Sequence, residues 1–546
     1  MSSINSIISS ATSALATNQA VIATTSANIS NVNNPDYVRR QTQLQSLNIG
    51  GEAVGVQVAQ VQRVVAEFLQ SQLVSSRATA GTLDATSGIH DQLQSMFGTP
   101  DDPNSMPALL SKALSYPSEL TVDPVSTARR MGYLQQVQAA VNSISQMSEQ
   151  VQNIRANTDN SVATNVSTAN SLIGDIFTLN QQIVKAQAVN ADSGALKDQR
   201  DADLRNLSDL ISIRTYAQPN GAITVTTNDG SELIGDNKVV LSYNPAGQSG
   251  TDVVYGQITA QLVDSKGAPL GQSIAFDSHI EQGSLRGLLN MRDNDLPNLL
   301  EQLGGLAGNL ADQLNAAHND SIAVPPPNTL TGRQTGLLST DAADFTGQTT
   351  LAVVNADGTL AHSLTFDFSA GTYDVDNGGS PQAIPNGAGA TIDDIVTAIN
   401  TGLAGSATAS FNNGVLSLTA TGPTQGLGFS QPSSSASSRG GRSFSQFFGL
   451  NDLVQAARPS NFDTGFTSAD LSVANSANYT VGQQFTLSVS DPSGKALKQF
   501  TYTATGTESL QNVIDAMNDP TTGLGQYMTF SLDSNGQLVG TPTAGN

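Results

Sequence analysis

Cysteine and tryptophan are both absent from this sequence of 546 residues. Without cysteine the chain forms no disulfide, has no thiolate nucleophile and offers no thiolate to a metal. Charge is scarce as well, since charged residues make up 12% of the chain against a usual share of about 25%. Ser, Thr, Asn, Gln, Ala and Gly fill the deficit. Such a surface suits a subunit that packs against copies of itself, and equally an ordinary soluble multidomain protein.

Basic residues are few, and the net charge is −22. A protein that binds nucleic acid needs a basic face, so this balance argues against a nucleic-acid partner and against anionic membranes. No apolar run approaches the roughly 18 residues that cross a bilayer, which predicts no membrane span. The N-terminus also lacks the basic and apolar regions of a cleaved secretory signal. If the chain is exported, it uses no such signal.

Catalytic and metal-binding patterns are missing too. The four histidines, His90, His279, His318 and His362, fall in different predicted elements without ligand spacing. The run 374–378 is similar to the start of a calcium loop, but a glycine stands at its fifth position, so a turn is predicted. There is no phosphate-binding Gly-Lys-Ser/Thr loop and no Gly-x-Ser-x-Gly elbow. We therefore expect no catalytic residue, no metal site, no cofactor and no enzyme activity.

An apolar heptad runs through the first 30 residues, and no charged side chain precedes Asp36. One heptad row is only weakly apolar and consists of Ile4, Ala11, Asn18 and Thr25. The other row is strongly apolar and consists of Ile8, Leu15, Ile22 and Ile29. A helix with such a seam needs a partner. It is either a surface helix on its own domain or one strand of a coiled coil between subunits. Asn31, Asn34 and Pro35 then predict a turn that ends the helix.

The next 290 or so residues alternate between helical and strand patterns. A strand pair is predicted around 50–51, a helix over 65–97, and strands over 211–276. A heptad over 123–188 predicts a rod of roughly 90–100 Å, and its polar middle, around Arg155 and Thr158, indicates a bend or a register-setting stretch. Leucines over 284–318 predict another helix, with a kink or break at Pro297.

The chain after residue 345 is rich in strand patterns and contains a repeat. A β-hairpin, a short helix and a second hairpin occur once from Gly347, with the helix over 394–400, and again from Gly482, with the helix over 512–518. The second turns fall at 412–414 and 533–536. Serines over 433–438 predict a flexible linker between the two copies.

These patterns together predict an α+β multidomain protein. It has a long helical bundle or coiled-coil rod domain, and β-rich outer domains that contain a repeated hairpin–helix–hairpin unit. The predicted divisions are an N-terminal helical segment over 1–45, the rod over 46–210 with a returning helix over 281–325, a β-rich insertion over 211–280, an outer domain over 326–432, a linker over 433–480, and a second outer domain over 481–546.

Residues 26–41 resemble the N-terminal motif of the flagellar axial proteins, the rod, hook and hook-associated proteins. The matching positions include Asn28, Ile29, Ser30, Asn31, Val32, Asn34, Pro35, Tyr37, Arg39 and Arg40. Asp36 stands where that family usually has glycine. The resemblance implies that this motif, with Ile4, Ile8, Leu15 and Ile22 before it, serves polymerisation and export.

Two further segments are similar to blocks of the hook-associated protein 1 family, in the same order. The first is 195–201, with Asp198, Gln199, Arg200 and Asp201, which continues to Ile213. The second is 283–289, with Gly283, Ser284 and Leu285. With the N-terminal motif, these cover most of residues 1–325. The β-repeats resemble, more loosely, the outer domains of flagellins and junction proteins.

This resemblance implies a structural subunit that joins hook to filament. The implied partners are copies of the chain, the hook protein, the second junction protein and an export chaperone. The implied location is the extracellular flagellum, reached by type III export without a cleaved signal. The family also ends in a helix that pairs with the N-terminal one. Here residues 537–543 are strand-like, so we favour a truncated chain, and we expect residues 1 to about 40 to be mobile in the monomer.

Two other readings stay open from the residues alone. The β-repeats and the acidic balance are also typical of a secreted adhesin or binding module. Within the axial family, the chain is alternatively a hook or flagellin subunit.

Overall fold

The structure is a computed structural model. It describes residues 4–49, 52–99, 101–123, 126–189, 191–247, 253, 255–323, 325–333, 335, 337, 339–376, 378–454, 481–482, 484–490, 496–506, 508–532 and 538–542. The chain divides into two compact units, residues 1–303 and residues 304–546. Each is described by itself.

The first unit opens with helix α1, Ile4–Ser30, followed by a β-hairpin. Strands β1, Arg40–Ile49, and β2, Glu52–Arg63, pair antiparallel from Arg40 opposite Arg63 to Ile49 opposite Glu52. Two bulges interrupt the ladder, which raises the twist of the pair. The strand pair predicted around residues 50–51 is therefore present.

The helices of this unit surround one long helix, α5. They are α2, Glu67–Phe97; α3, Met106–Ser115; α4, Pro117–Leu120; α5, Thr127–Ala188; α6, Gly194–Leu210; and α7, Ser284–Asn290. Helix α5 runs through 62 residues, so its polar middle does not break it. Thr158 and Asp159, in that middle, are buried, whereas Leu134, near the start of α5, is half exposed.

A π-helical turn, Met291–Asp295, connects α7 to helix α8, Leu296–Asn319. The N–H of Leu296 bonds to the carbonyl of Met291, five residues back. Pro297 lacks an N–H, and its ring displaces the carbonyl four residues before it. Widening the preceding turn accommodates the proline while the helix continues. The irregularity predicted at Pro297 is thus a π turn and not a break.

A six-stranded antiparallel sheet, in chain order, packs on α5. Its strands are β3, Ile213–Ala217; β4, Ile223–Thr227; β5, Glu232–Ile234; β6, Lys238–Ser242; β7, Thr259–Val263; and β8, Ile274–Ala275. Val225, Leu233 and Leu241 point from it into a core shared with α5, α6 and α7. Gly221 and Gly230 adopt positive φ in its turns, a conformation that favours glycine.

The second unit contains a five-stranded sheet in the order β13-β12-β11-β10-β16 and a three-stranded sheet in the order β14-β15-β9. The elements are β9, Thr329–Thr331; β10, Gln348–Val354; β11, Leu360–Asp367; β12, Thr372–Val375; β13, Gln382–Ala383; α9, Ile392–Gly402; β14, Ala407–Asn412; β15, Val415–Ala420; β16, Gly426–Ser430; and α10, Phe444–Phe448. One core joins α9, α10 and both sheets.

Residues 433–454 are part of this fold. Phe444, Phe447 and Phe448 are fully buried in the core. The backbone N–H of Ser438 bonds to Thr346, and the hydroxyl of Ser437 accepts the N–H of Phe444. The prediction of a flexible linker is therefore wrong for 433–454, because its serines satisfy backbone groups and its phenylalanines fill the core. Residues 455–480 lie outside the described residues.

The last elements form a smaller core. They are β17, Gln484–Ser490; β18, Ala496–Thr503; α11, Leu510–Asn518; β19, Met528–Leu532; and β20, Leu538–Pro542. Phe500, Val513, Ile514, Met517 and Phe530 pack together. Helices α9 and α11 each begin with a capping box, Thr391 with Asp394 in α9 and Ser509 with Asn512 in α11. The turn predicted at 533–536 lies outside the described residues.

Candidate assembly site

Helix α1 lies on the hairpin with its small, polar face. The hydroxyl of Thr17 donates to the carbonyl of Val56 at 2.9 Å, and Thr42 donates to Thr24 at 3.1 Å. The approach is close: a Cβ on Gly55 would lie 2.3 Å from the hydroxyl oxygen of Ser13. Small side chains on α1 and a glycine in β2 are what allow helix and strand to meet at this distance.

The large apolar side chains of α1 point the other way. Ile8, Leu15, Ile22 and Ile29 follow one another at heptad spacing and are 57 to 68% exposed; we call these four residues the α1 stripe. Ile4 is in the same helix, and its side chain lies outside the described residues. An ordinary surface helix buries its apolar side against its own domain. The α1 stripe has the reverse orientation and faces solvent.

The axial motif fixes the end of α1 to the start of β1. The side chain of Asn28 donates to the carbonyl of Arg40 at 2.8 Å and accepts the Arg40 N–H at 2.9 Å. It also accepts the hydroxyl of Tyr37 at 2.9 Å. The Asn28 side-chain amide therefore bonds to both backbone groups of Arg40, as the backbone of an adjacent strand would. It connects helix α1, the turn and strand β1.

Other motif residues shape the turn between them. Asn31 donates from its side chain to the carbonyl of Ala27 at 2.9 Å, which closes the helix. Asn34 accepts the N–H of Asp36 at 3.1 Å, an Asx turn around Pro35. Val32, at the turn, is 75% exposed and so extends the apolar surface of α1.

Four charged residues fasten the hairpin to α6; we call Arg40, Arg63, Asp198 and Asp201 the hairpin clamp. Asp198 accepts from Arg40 at 3.1 Å and from Arg63 at 2.8 Å, and Asp201 accepts from Arg63 at 2.5 Å. All four side chains are mostly buried. Shielded, charge-assisted pairs of this kind are stronger than surface ion pairs. The first predicted block thus serves to hold the N-terminal arm.

Two more positions of this region differ in role. Asp36, where the axial family has glycine, pairs with Arg205 of α6 at 2.5 Å and so adds a second link to that helix. Arg200 faces away from the clamp and donates to Asn180 at 3.0 Å and to the carbonyl of Gly221 at 2.9 Å. Burial lowers its pKa. Gln199 is exposed and does not join the other predicted residues.

The second block lies elsewhere in the unit and positions α7. Gly283 has a φ of +103°, and a Cβ there would lie 2.3 Å from the carbonyl oxygen of Leu210. The hydroxyl of Ser284 accepts the side-chain amide of Asn165 in α5 at 2.9 Å. Leu285 is fully buried. These residues build the core that supports the assembly site and take no part in its surface.

Sequence reasoning missed one of the four clamp residues, Arg63, and also Arg205, which pairs with Asp36. The hairpin register nevertheless contains a signal for Arg63. Arg40 and Arg63 stand directly opposite each other on β1 and β2. Like charges at opposed positions destabilise a strand pair unless carboxylates compensate them. Such a pair therefore calls for acidic residues nearby, which the 198–201 block supplies.

Among the residues that the structure describes, no helix is long and apolar enough to span a bilayer, and no three metal-ligating side chains cluster. What the arrangement offers instead is a helix held by its polar face at a fixed angle, with an apolar stripe toward solvent. This geometry is suited to helix–helix packing with another chain.

Comparisons by sequence with known proteins return flagellar hook-associated proteins. A sequence profile described as the helical domain of flagellar hook-associated protein FlgK matches residues 90–329. Flagellar hook-associated protein 1 of Bacillus subtilis (strain 168) is 24% identical over 380 residues, which cover 64% of this chain and 71% of that protein. Its namesake in Escherichia coli (strain K12) is 25% identical over 324 residues, covering 58% of this chain and 57% of that protein.

A third relative, flagellar hook-associated protein 1 of Salmonella typhimurium, is 26% identical over 322 residues, which cover 58% of this chain and 56% of that protein. The chain thus matches little more than half the length of the last two relatives. The solved structure of the flagellar hook junction protein FlgK from Burkholderia pseudomallei aligns with a TM-score of 0.40 and 21% identity, covering 66% of this chain and 62% of that one.

Proposed function

We propose that the chain belongs to the family of flagellar hook-associated protein 1 and is a structural subunit of the bacterial flagellum at the junction of hook and filament. It acts by packing against other subunits and by no chemical reaction. The matches in three species and the profile over the helical region support this assignment.

The observation that carries the mechanism is the α1 stripe. Four heptad positions of α1 expose isoleucine or leucine while its polar side holds the hairpin. Burying a leucine or isoleucine side chain contributes about 1.5–3 kcal/mol. A second helix laid along the stripe therefore gains several such contributions at once. We propose that the α1 stripe, together with Ile4 before it and Val32 after it, packs in a coiled coil with helices of neighbouring subunits.

The hairpin clamp gives this packing a direction. Asn28 fixes the helix to β1, and Asp198 and Asp201 fix β1 and β2 to α6. A load applied to α1 therefore passes through the clamp into the helical core around α5. This is the property a junction between two differently flexible structures requires.

The remaining partners follow from the family. We propose contacts with copies of the chain, the hook protein and the second junction protein, and export with the help of a chaperone. Export would proceed without a cleaved signal, to the extracellular flagellum. The net charge of −22 supports the exclusion of nucleic acid.

We also propose that the domain scheme of the sequence holds outside 433–454 and outside 304–325, the part of the predicted returning helix that belongs to the second unit. Helix α5, of 62 residues, is the rod. The outer repeat consists of β10, β11, α9, β14 and β15 in one copy and of β17, β18, α11, β19 and β20 in the other. In each copy the strands pair as two hairpins around the helix, which supports a common origin.

Deletion of the gene tests the function, and complementation tests the mechanism. The deletion strain should build hooks without filaments and release flagellin into the medium. The full chain should restore filaments and Ile22→Asp should not, whereas Leu360→Asp, at a similarly exposed position in the second unit, should restore them.

Filaments in the deletion strain would refute the function. Equal rescue by both variants would refute the role of the stripe, and long fibres grown by the chain alone would indicate a hook or flagellin subunit.

A further inference from the structure

A cleft of about 870 Å³ opens in the first unit beside the hairpin clamp. The end of β2, the start of α2, the first turns of α6 and the β3–β4 turn form its walls. Val65, Phe68 and Leu204 supply an apolar wall, and Lys197 and Arg200 supply cations on another. An apolar concave site with a few polar groups is the usual form of a binding site.

Two of the cations that line this cleft, Lys197 and Arg200, make no direct carboxylate contact among the described residues, whereas the third, Arg63, pairs with Asp198 and Asp201. Arg200 is 6% exposed, and the two oxygens that it contacts, on Asn180 and Gly221, are neutral. Its Nε has no hydrogen-bond partner among the described residues. Lys197, half-buried, forms no ion pair within the described part of the chain. Buried charges in proteins are ordinarily paired, so this site is electrostatically incomplete.

The carboxylates nearby are already engaged. Asp201 accepts from Arg63 at 2.5 Å. Asp192 contacts Arg40 at 3.6 Å and accepts the N–H of Gly194, the first residue of α6, at 2.8 Å. Glu67 lies at the exposed rim. These acids limit the charge that the cleft accepts, which favours a singly charged anion over a phosphate.

The pKa of Lys197 is consistent with an anion site. Burial lowers the pKa of the Lys197 ammonium, the charges of Arg200 and Arg63 lower it further, and those of Asp201 and Asp192 act against this shift. A bound anion would act in the same direction as these two carboxylates, because it favours the charged form of the lysine. The apolar wall next to the cations adds the second requirement, a hydrophobic group within a few ångströms of the anion.

We propose that this cleft binds a carboxylate side chain flanked by an apolar residue, presented by a second copy of this chain. The carboxylate contacts Lys197 and Arg200, and the apolar residue packs on Val65 and Phe68. The inference rests on the proposed self-assembly and adds a second contact surface to the α1 stripe. With 45 acidic against 23 basic residues, each copy has carboxylates to spare. Phe68, 75% exposed, and Leu69, 65% exposed, form the apolar rim that such an interface would cover.

Hexanoate is the probe for the site, and hexanamide is its neutral control. The full chain should bind hexanoate, measured by calorimetry, and should not bind hexanamide. Lys197→Met should weaken hexanoate binding about tenfold or more, as expected for loss of a charged hydrogen bond. Lys266→Met, at an exposed turn position, should leave it unchanged. No hexanoate binding, or equal binding by Lys197→Met, would overturn the site.

Sedimentation equilibrium identifies the source of the carboxylate. Self-association of the full chain should weaken with Lys197→Met and with saturating hexanoate, and should be unaffected by Lys266→Met. Hexanoate binding without any effect on self-association, or a chain that stays monomeric at its highest soluble concentration, would overturn the assignment to a second copy. The Ile22→Asp variant tests the α1 stripe separately. If Ile22→Asp loses self-association and Lys197→Met keeps it, this inference is refuted and the proposed function stays intact.

Discussion

Arg292 and Asp159 form an ion pair at 3.3 Å although 133 residues separate them in the chain, and each side chain is only 2% exposed. Asp159 comes from the polar middle of α5 and Arg292 from the π turn before α8. The hydroxyl of Tyr243 joins them, since it donates to Asp159 and accepts from Arg292. Burial, and then this hydrogen bond, raise the pKa of Tyr243. The pair connects helix, sheet and π turn at one buried point.

Arg292→Met should lower the free energy of unfolding by about 3–5 kcal/mol, because it leaves the Asp159 carboxylate buried without its cation. Denaturant unfolding followed by circular dichroism measures this. The double variant with Asp159→Asn should lose less than Arg292→Met alone, since no uncompensated charge remains. Arg214→Met, on the exposed side of β3, serves as the control. An Arg292→Met chain as stable as Arg214→Met would contradict the role of the pair.

Asn28→Ala should release the end of α1 from β1. It removes three hydrogen bonds, two to Arg40 and one to Tyr37, each contributing on the order of 1 kcal/mol. Amide exchange of α1 and of Arg40 should accelerate while exchange in α5 stays unchanged. Asn33→Ala is the matched control, because Asn33 is an exposed residue of the same turn. If both variants exchange alike, Asn28 does not anchor the helix.

The turn between β4 and β5 should lose stability in acid. Burial alone would raise the pKa of Asp229, but hydrogen bonds from Thr227 and His279 outweigh it and lower the pKa to about 2 from 3.8. A lowered carboxyl pKa stabilises the fold above the ordinary value and ceases to do so as pH falls toward the folded one. The stability difference between the protein and Asp229→Asn should therefore be constant above pH 3.8 and disappear near pH 2. A pH-independent difference across this range would show that the carboxylate charge is not responsible.

Gly283→Ala should destabilise the first unit more than Gly230→Ala does. Both glycines have a φ near +100°, which costs a residue with a side chain about 1–3 kcal/mol. A Cβ at 283 would in addition lie 2.3 Å from the carbonyl oxygen of Leu210, whereas at 230 it meets open space. Thermal unfolding of the two variants isolates the steric part. Equal losses would mean that α7 moves away from Leu210 at little cost.

Local patterns predicted the elements of this fold where a segment's own residues decide its conformation. The hairpin around residues 50–51, the helix ending at Phe97 and the continuous helix α5 all follow from periodicity and turn residues. The prediction was wrong where distant residues decide. The segment 433–438 has a composition typical of linkers. Phe444 and Phe447, which follow it, are buried in the core, so the serines before them are held against the same fold.

The candidate site likewise contains residues that local patterns predicted and an orientation that distant residues decide. The heptad identified Ile8, Leu15, Ile22 and Ile29, and the resemblance identified Asn28 and Asp198. Which side of α1 would face the protein could not be read from the heptad, since apolar residues ordinarily face inward. The close approach of Ser13 to Gly55 reverses that expectation, and it depends on a residue 42 positions away that only the folded hairpin brings near.

By itself, the sequence determined the charge-poor surface, the apolar row of α1, the turn that follows it and the resemblance to the flagellar hook-associated proteins. These are properties of residues close together in the chain. The tertiary structure alone decided that the row points outward, that Arg40 and Arg63 share Asp198, and that Arg292 neutralises Asp159. Ion pairs and packing contacts join residues 130 or more positions apart. No local pattern specifies such a pairing, because its free energy exists only once the chain has folded.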